Sequence, residues 1–239
     1  MTIASNLSAL HERIAGAATR AGRNPDDIVL MAVTKTFPVE RIIEAYEAGQ
    51  HLFGENRVQE FAEKAAALAH LAGAQFHMIG HLQSNKAGKA AGIFHAVDSV
   101  DSVKLAERLN SAAEKLNKTL EVLIEINVGG EEAKSGLAPQ SPELDRILIA
   151  AQQWAHLHIR GLMTVPPFTD DPEGARPYFR QLRELRDKLA SRALPSVSLD
   201  VLSMGMSHDF EVAIEEGSTC VRIGTAIFSE PAGSGSART

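Results

Sequence analysis

The run Ile28-Val29-Leu30-Met31-Ala32-Val33-Thr34-Lys35-Thr36 decides how the rest of this 239-residue chain is read. Six consecutive apolar residues, two of them β-branched valines and one isoleucine, form a strand buried on both faces, as in a parallel sheet. The run then breaks into a polar Thr-Lys-Thr triplet. Seven further short apolar runs follow the same pattern, at 51–54, 76–80, 94–97, 122–128, 159–164, 199–204 and 221–224. Between them lie Ala-, Glu-, Lys- and Leu-rich stretches at helical spacing, such as 39–48, 57–69, 102–116 and 176–190. Ser102 before one stretch and Pro142 at the first turn of another are helix-start signals. Eight alternations of strand and helix predict a parallel sheet with helices outside, closing as a (β/α)8 TIM barrel. An open doubly wound sheet is the alternative. An extra helix through Ala21 precedes the first strand. The expected organisation is one barrel over 1–230 and a disordered Gly/Ser-rich tail over 231–239.

Composition narrows the function. The formal charge is -6 and no Lys/Arg cluster occurs, which argues against nucleic acid or an anionic membrane as partner. Cys220 is the single cysteine, so neither an internal disulfide nor a thiolate metal centre can form. The start of the chain has no signal-peptide pattern and no apolar run approaches a membrane span, so a cytoplasmic protein is expected.

In a parallel barrel the site lies at the C-terminal strand ends, and phosphate often binds after the last two strands. Lys35 closes the first strand. A lysine partly withdrawn from water there favours its neutral amine, the form that attacks an aldehyde; the competing reading is a lysine snorkelling to solvent. Ser207, Gly224 and Thr225 offer hydroxyls and unobstructed amides for an anion, against ordinary strand-to-helix turn chemistry. Arg222, flanked by Val221 and Ile223, is a buried cation that needs a partner. That partner is either a carboxylate such as Asp98 or Glu125, or a ligand. No phosphate loop or dinucleotide fingerprint is present. His156 and His158 alternate across a strand and His77 and His81 straddle a strand end, so neither pair suits one metal ion.

Read together, several segments resemble the pyridoxal phosphate homeostasis protein family: Val33-Thr34-Lys35, 53–60 (FGENRVQE), 77–86 (HMIGHLQSNK), Gly161-Leu162-Met163-Thr164, Ser203-Met204-Gly205-Met206-Ser207 and 217–228 (GSTCVRIGTAIF). The resemblance spans about residues 28–228. It implies a barrel like that of alanine racemase without its second domain, with pyridoxal 5'-phosphate as cofactor. It further implies that Lys35 carries the cofactor as a Schiff base, that Ser207, Gly224 and Thr225 take the phosphate, and that Arg222 faces the pyridine nitrogen. Asn56, His81 and Met204 line the same site. One departure is Ser229 after Phe228, where the family commonly has glycine.

The family is linked to carrying or buffering the cofactor inside the cell, without robust turnover and with apo forms of pyridoxal phosphate enzymes as partners. A racemase is the enzymatic alternative. It would need bases on both faces of a carbanion, and in the racemase family the second is a tyrosine from the other domain. Only Tyr46 and Tyr178 occur here, both in helical stretches. A Schiff-base aldolase is a third reading, separated by colour: its purified protein would be colourless. A closed barrel exposes no sheet edge, so a monomer is expected.

Overall fold

The structure, a computed structural model, describes residues 2–131 and 134–229. Eight parallel strands form a closed barrel in the order β1 to β8: β1 Val29–Val33, β2 Leu52–Glu55, β3 Gln75–Met78, β4 Ala96–Val100, β5 Leu120–Glu125, β6 Leu157–Met163, β7 Val197–Ser203 and β8 Cys220–Ile223. The sequence locates every strand, and closure excludes the open sheet. β8 returns to β1 with Val29 beside Cys220 and Ala32 beside Ile223. The tail expected at 231–239 lies outside the described residues.

The helices are α1 Ile3–Arg20, α2 Val39–Glu47, α3 Val58–Leu68, α4 Ala87–Ile93, α5 Val103–Lys115, α6 Pro142–Ala150, α7 Arg176–Ala190, α8 Phe210–Glu215 and α9 Thr225–Phe228. Local chemistry sets their ends. Ser102 caps α5, its hydroxyl accepting from Leu105 N at 3.2 Å, and Pro142 opens α6 behind the Ser141 cap. The additional α1 packs outside the barrel against α8 and α9. There Arg13 and Arg20 both reach Glu211, at 2.8 and 2.7 Å.

The main apolar core lies between strands and helices, where residues such as Phe53, Phe61, Phe76 and Phe94 stack in series. No helix among the described residues is long and apolar enough to cross a membrane.

β6 is irregular where it meets both neighbours: the register slips between Val122 and Leu123 on one side and between Ile159 and Gly161 on the other. Gly161 explains the slip. A Cβ there would collide with the Val201 carbonyl oxygen, so only glycine lets β7 approach. Backbone cannot yield as a side-chain tip can. Gly161→Ala should therefore cost at least about 1–3 kcal/mol, the usual range for overpacking. Urea unfolding would read this as a lower midpoint at unchanged slope.

Candidate functional site

At the C-terminal strand ends a cavity of about 400 Å³ opens to solvent, and Lys35, Asn56, His81 and Arg222 share its wall. Four of the eight residues expected from the sequence thus meet in one place. The other four divide. Ser207, Gly224 and Thr225 stand beside the cavity. The Thr225 hydroxyl donates to that of Ser207 at 3.3 Å, and Ser207 follows Met206, itself on the wall. Gly224 approaches Val33 so closely that an added Cβ would sit 3.2 Å from its carbonyl oxygen. At α9 the Ile227 and Phe228 amides donate to the Gly224 carbonyl at 2.9 and 3.2 Å, which leaves those of Thr225 and Ala226 without a backbone acceptor. Met204, in contrast, is fully buried in the main core. Gly205, at φ +96°, turns the chain so that Met206 rather than Met204 reaches the cavity.

Lys35 is exposed at the mouth, so the withdrawal from water inferred from its position after an apolar strand is not found. Its backbone is nevertheless held firmly. The preceding Thr34 is fully buried, its hydroxyl donating to Glu55 Oε1 at 2.8 Å. Lys64 on α3 donates to the Thr34 carbonyl at 3.0 Å and to Glu55 at 3.1 Å. Burial pushes the Glu55 carboxyl above its ordinary range, against the opposing effects of Thr34 and Lys64.

Arg222 is buried, with 3% of its surface exposed. Its guanidinium donates to Ser203 Oγ at 2.6 Å and to the Thr164 carbonyl at 2.7 Å. Neither Asp98 nor Glu125 forms the ion pair that the sequence suggested as one option. Burial lowers the arginine's affinity for its proton, and Asp98, Glu125 and Asp209 oppose that only from a distance. Two neutral oxygens leave donors of the five-donor fork uncommitted.

The wall also holds residues that the sequence did not place there. Glu125 lies on β5 between Ile124 and Ile126, a charge inside an apolar run, which is the same signal that singled out Arg222. Its Oε1 accepts from Ser135 Oγ at 2.8 Å, while its buried Oε2 has no partner. Burial raises its pKa, with the Ser135 hydrogen bond opposing. Lys134 also lines the cavity, tied to Glu131 at 2.9 Å and to the Pro166 carbonyl at 3.2 Å. Asn127, just past β5, donates to the Glu131 carbonyl at 2.9 Å and so shapes this loop. Asp209 sits just before α8, and its carboxylate accepts Met206 N–H at 2.6 Å, holding the loop that carries Ser207. His81 pairs with Asp101 at 3.2 Å.

The chain matches the family model described as alanine racemase, N-terminal domain, over residues 5–231. It is 46% identical to the pyridoxal phosphate homeostasis protein of Aquifex aeolicus over 230 residues, 96% of this chain and 99% of that one. The protein of the same name from Escherichia coli is 43% identical, with 95% of each chain covered.

The chain belongs to the pyridoxal phosphate homeostasis protein family.

Among solved structures, PipY of Synechococcus elongatus with PLP bound is 36% identical, with a TM-score of 0.82 over 95% of this chain and all of that one. Alanine racemase of Clostridium difficile shares the fold at 15% identity and TM-score 0.72, and the match covers 97% of this chain but 58% of the racemase.

Glu125 generates a prediction about pH. Its neutral form is favoured in the folded chain, so its contribution is fully present below the ordinary Glu value of about 4.3. That contribution is lost as pH rises through the higher folded value. Glu125→Gln removes the titration and keeps an acceptor for Ser135. The variant should gain stability over the wild type at pH 7–8 and lose that advantage near pH 4, measured as urea midpoints across the range.

Proposed function

We propose that this protein binds pyridoxal 5'-phosphate at the C-terminal mouth of the barrel, with Lys35 as the Schiff-base lysine, and serves as an intracellular carrier or buffer of the cofactor. One observation carries the reading: a lysine, a buried arginine with uncommitted donors and a pair of adjoining hydroxyls surround one cavity at the strand ends. The names of the close relatives and the PLP-bound PipY structure support it.

Each part of that cavity suits one part of such a cofactor. The Lys35 amine stands where an aldehyde would enter from solvent. Ser207, Thr225 and the first amides of α9 offer donors to a phosphate. Arg222, which can donate but not accept, faces the interior. When bound, the cofactor supplies an aldehyde for amines and a ring able to accept electrons. Arg222 would hold the ring nitrogen as a donor only, which would leave that nitrogen unprotonated and the ring a weaker electron sink. Asn56 and His81 complete the wall. In this reading Met204 supports the site from the core, behind Met206.

The carrier reading is favoured over a racemase by the placement of the tyrosines. Tyr46 donates to the Ala72 carbonyl at 2.8 Å. Tyr178 packs against the core from α7. Neither lies on the cavity wall, so no phenol faces Lys35 as a second base. A cytoplasmic monomer that hands the cofactor to apo enzymes completes the proposal, and a barrel without free strand edges is consistent with it.

Three measurements test this. Lys35→Ala should remove the visible absorbance that pyridoxal phosphate gives with the wild type. Retention of the band would move the attachment to Lys134, the other lysine on the wall. Ser207→Ala and Thr225→Val should each weaken cofactor binding by about tenfold or more, since a hydrogen bond to a charged group contributes roughly 1.5–3 kcal/mol. Pyridoxal without phosphate should bind all three proteins alike; an equal loss for pyridoxal would show that the hydroxyls do not grip phosphate. Finally, L-alanine should yield no D-alanine at enzymatic rates, and its formation at about 1 s⁻¹ or faster would establish a racemase.

A further inference from the structure

A second cavity, of about 470 Å³, lies at the opposite end of the barrel. All eight strands contribute to its wall, through residues that include Val29, His77, Asp98, Leu123, Arg160 and Cys220. In a closed barrel of parallel strands, only the lumen at the N-terminal ends can touch every strand. Small side chains explain the space. Ala96 and Cys220 occupy wall positions that bulky branched residues usually fill in such barrels.

The two cavities are stacked along the axis. β1 gives Met31 to the lower and Val33 to the upper, β3 and the residue after it give His77 and Ile79, β5 gives Leu123 and Glu125, and β8 gives Cys220 and Arg222. A single layer separates them at Gly54, where an added Cβ would lie 2.8 Å from Met31 Sδ and 2.9 Å from Ile79 Cδ1.

Chemistry inside the lower cavity is asymmetric. Most of its wall is apolar, and Val29 leaves 47% of its surface exposed there. The polar feature is a His77–Asp98 pair, 3.2 Å from Nδ1 to Oδ1, with Asp98 only 2% exposed. Because Nδ1 is committed to Asp98, Nε2 is the ring atom left for a ligand. Burial disfavours the charged imidazole, but the Asp98 carboxylate outweighs it and holds the pKa above the ordinary value.

At the rim, both cations are engaged in part, and Arg160 Nε is left without a partner. Arg23 donates to the Ile214 and Ser218 carbonyls at 2.8 and 2.7 Å, and Arg160 to Glu121 at 2.7 Å. Asp200 is 3.9 Å from Arg160. Four carboxylates (Asp27, Asp98, Glu121 and Asp200) stand against two guanidiniums, so the wall is negative whichever form His77 takes.

We propose that this lower cavity is a second ligand site, for a small amphipathic amine whose apolar body fills the lumen and whose ammonium group meets the His77–Asp98 pair. The surplus carboxylate attracts an ammonium, which displaces the proton that Asp98 favours on His77 and donates to the freed Nε2, whereas an anion would meet net repulsion. The site is independent of cofactor attachment at Lys35, and its failure would leave that reading untouched.

A suitable probe is N,N-dimethylbenzylamine. As a tertiary amine it cannot condense with an aldehyde, so events at the upper mouth give no signal. The full-length, cofactor-loaded protein is titrated while the imidazole resonances of His77 are followed by NMR, assigned by their absence in His77→Gln. Saturable displacement of those resonances is expected, with phenylacetate and benzyl alcohol at least about tenfold weaker, the share of a charge-assisted bond. Asp98→Asn should weaken the amine by a similar factor, its fold checked by near-ultraviolet circular dichroism. The absence of a saturable His77 response in the wild type, or equal affinity for phenylacetate, would overturn the proposal. Where His77→Gln fails to fold, the His77 resonances are assigned by triple-resonance NMR on the wild type, so both comparisons stand without a variant. Undiminished binding in a folded Asp98→Asn protein would overturn it as well.

Discussion

Pairing of β8 with β1 is the constraint on which everything functional in this chain depends. The register that sets Val29 beside Cys220 and Ala32 beside Ile223 joins residues 191 positions apart. It brings the Thr-Lys-Thr triplet after β1 against the Gly-Thr after β8. Without closure, Lys35 and Thr225 would occupy opposite edges of an open sheet. With it, Gly224 must pass within ordinary contact of Val33, and a side chain there would push against the β1 carbonyl. A closed sheet also buries every strand edge, which leaves ligand binding to the two ends of the lumen.

Closure has an electrostatic consequence. Parallel strands send their inward residues into a space with little water, and this chain places Arg222, Glu125, Asp98 and His77 there. Each finds partial compensation. Arg222 has a hydroxyl and a carbonyl, Glu125 has Ser135, and His77 and Asp98 have each other. The compensation is incomplete at Glu125, whose Oε2 is left without a partner. Buried polar groups left partly satisfied are costly in a structure whose only task is to fold. Their concentration along one barrel axis marks the lumen as the working part of the molecule, while the phenylalanine-rich layer outside the strands provides the stability.

The same particulars show how far the sequence could be read. Lys35, Arg222 and the Gly224-Thr225 turn were legible because each interrupts or closes an apolar run, and apolar runs announce strands. Glu125 carried that same signal between two isoleucines, but the sequence offered it only as a partner for Arg222, because the apolar run continues to Val128 and hides that the strand ends at Glu125. Met204 and Met206 could not be told apart by pattern, since the left-handed turn at Gly205 decides which one faces the cavity. Likewise, the partner of Arg222 was undetermined, because Ser203 and Thr164 lie on other strands and are ordinary residues for a strand end.

By itself the sequence determined the strand and helix alternation, and with it a parallel (β/α)8 architecture. Local hydrophobic periodicity, caps and turn residues are properties of short segments and need no knowledge of the whole. Its motifs also determined the family resemblance. Only the tertiary structure decided that the sheet closes, which strand-end residues share one wall, and that Lys35 stands in solvent. It also decided that His77 and Asp98 meet at the far end of the same lumen. These are relations between residues distant along the chain, fixed by strand register and by the space that small side chains leave, and neither quantity is written in any local stretch.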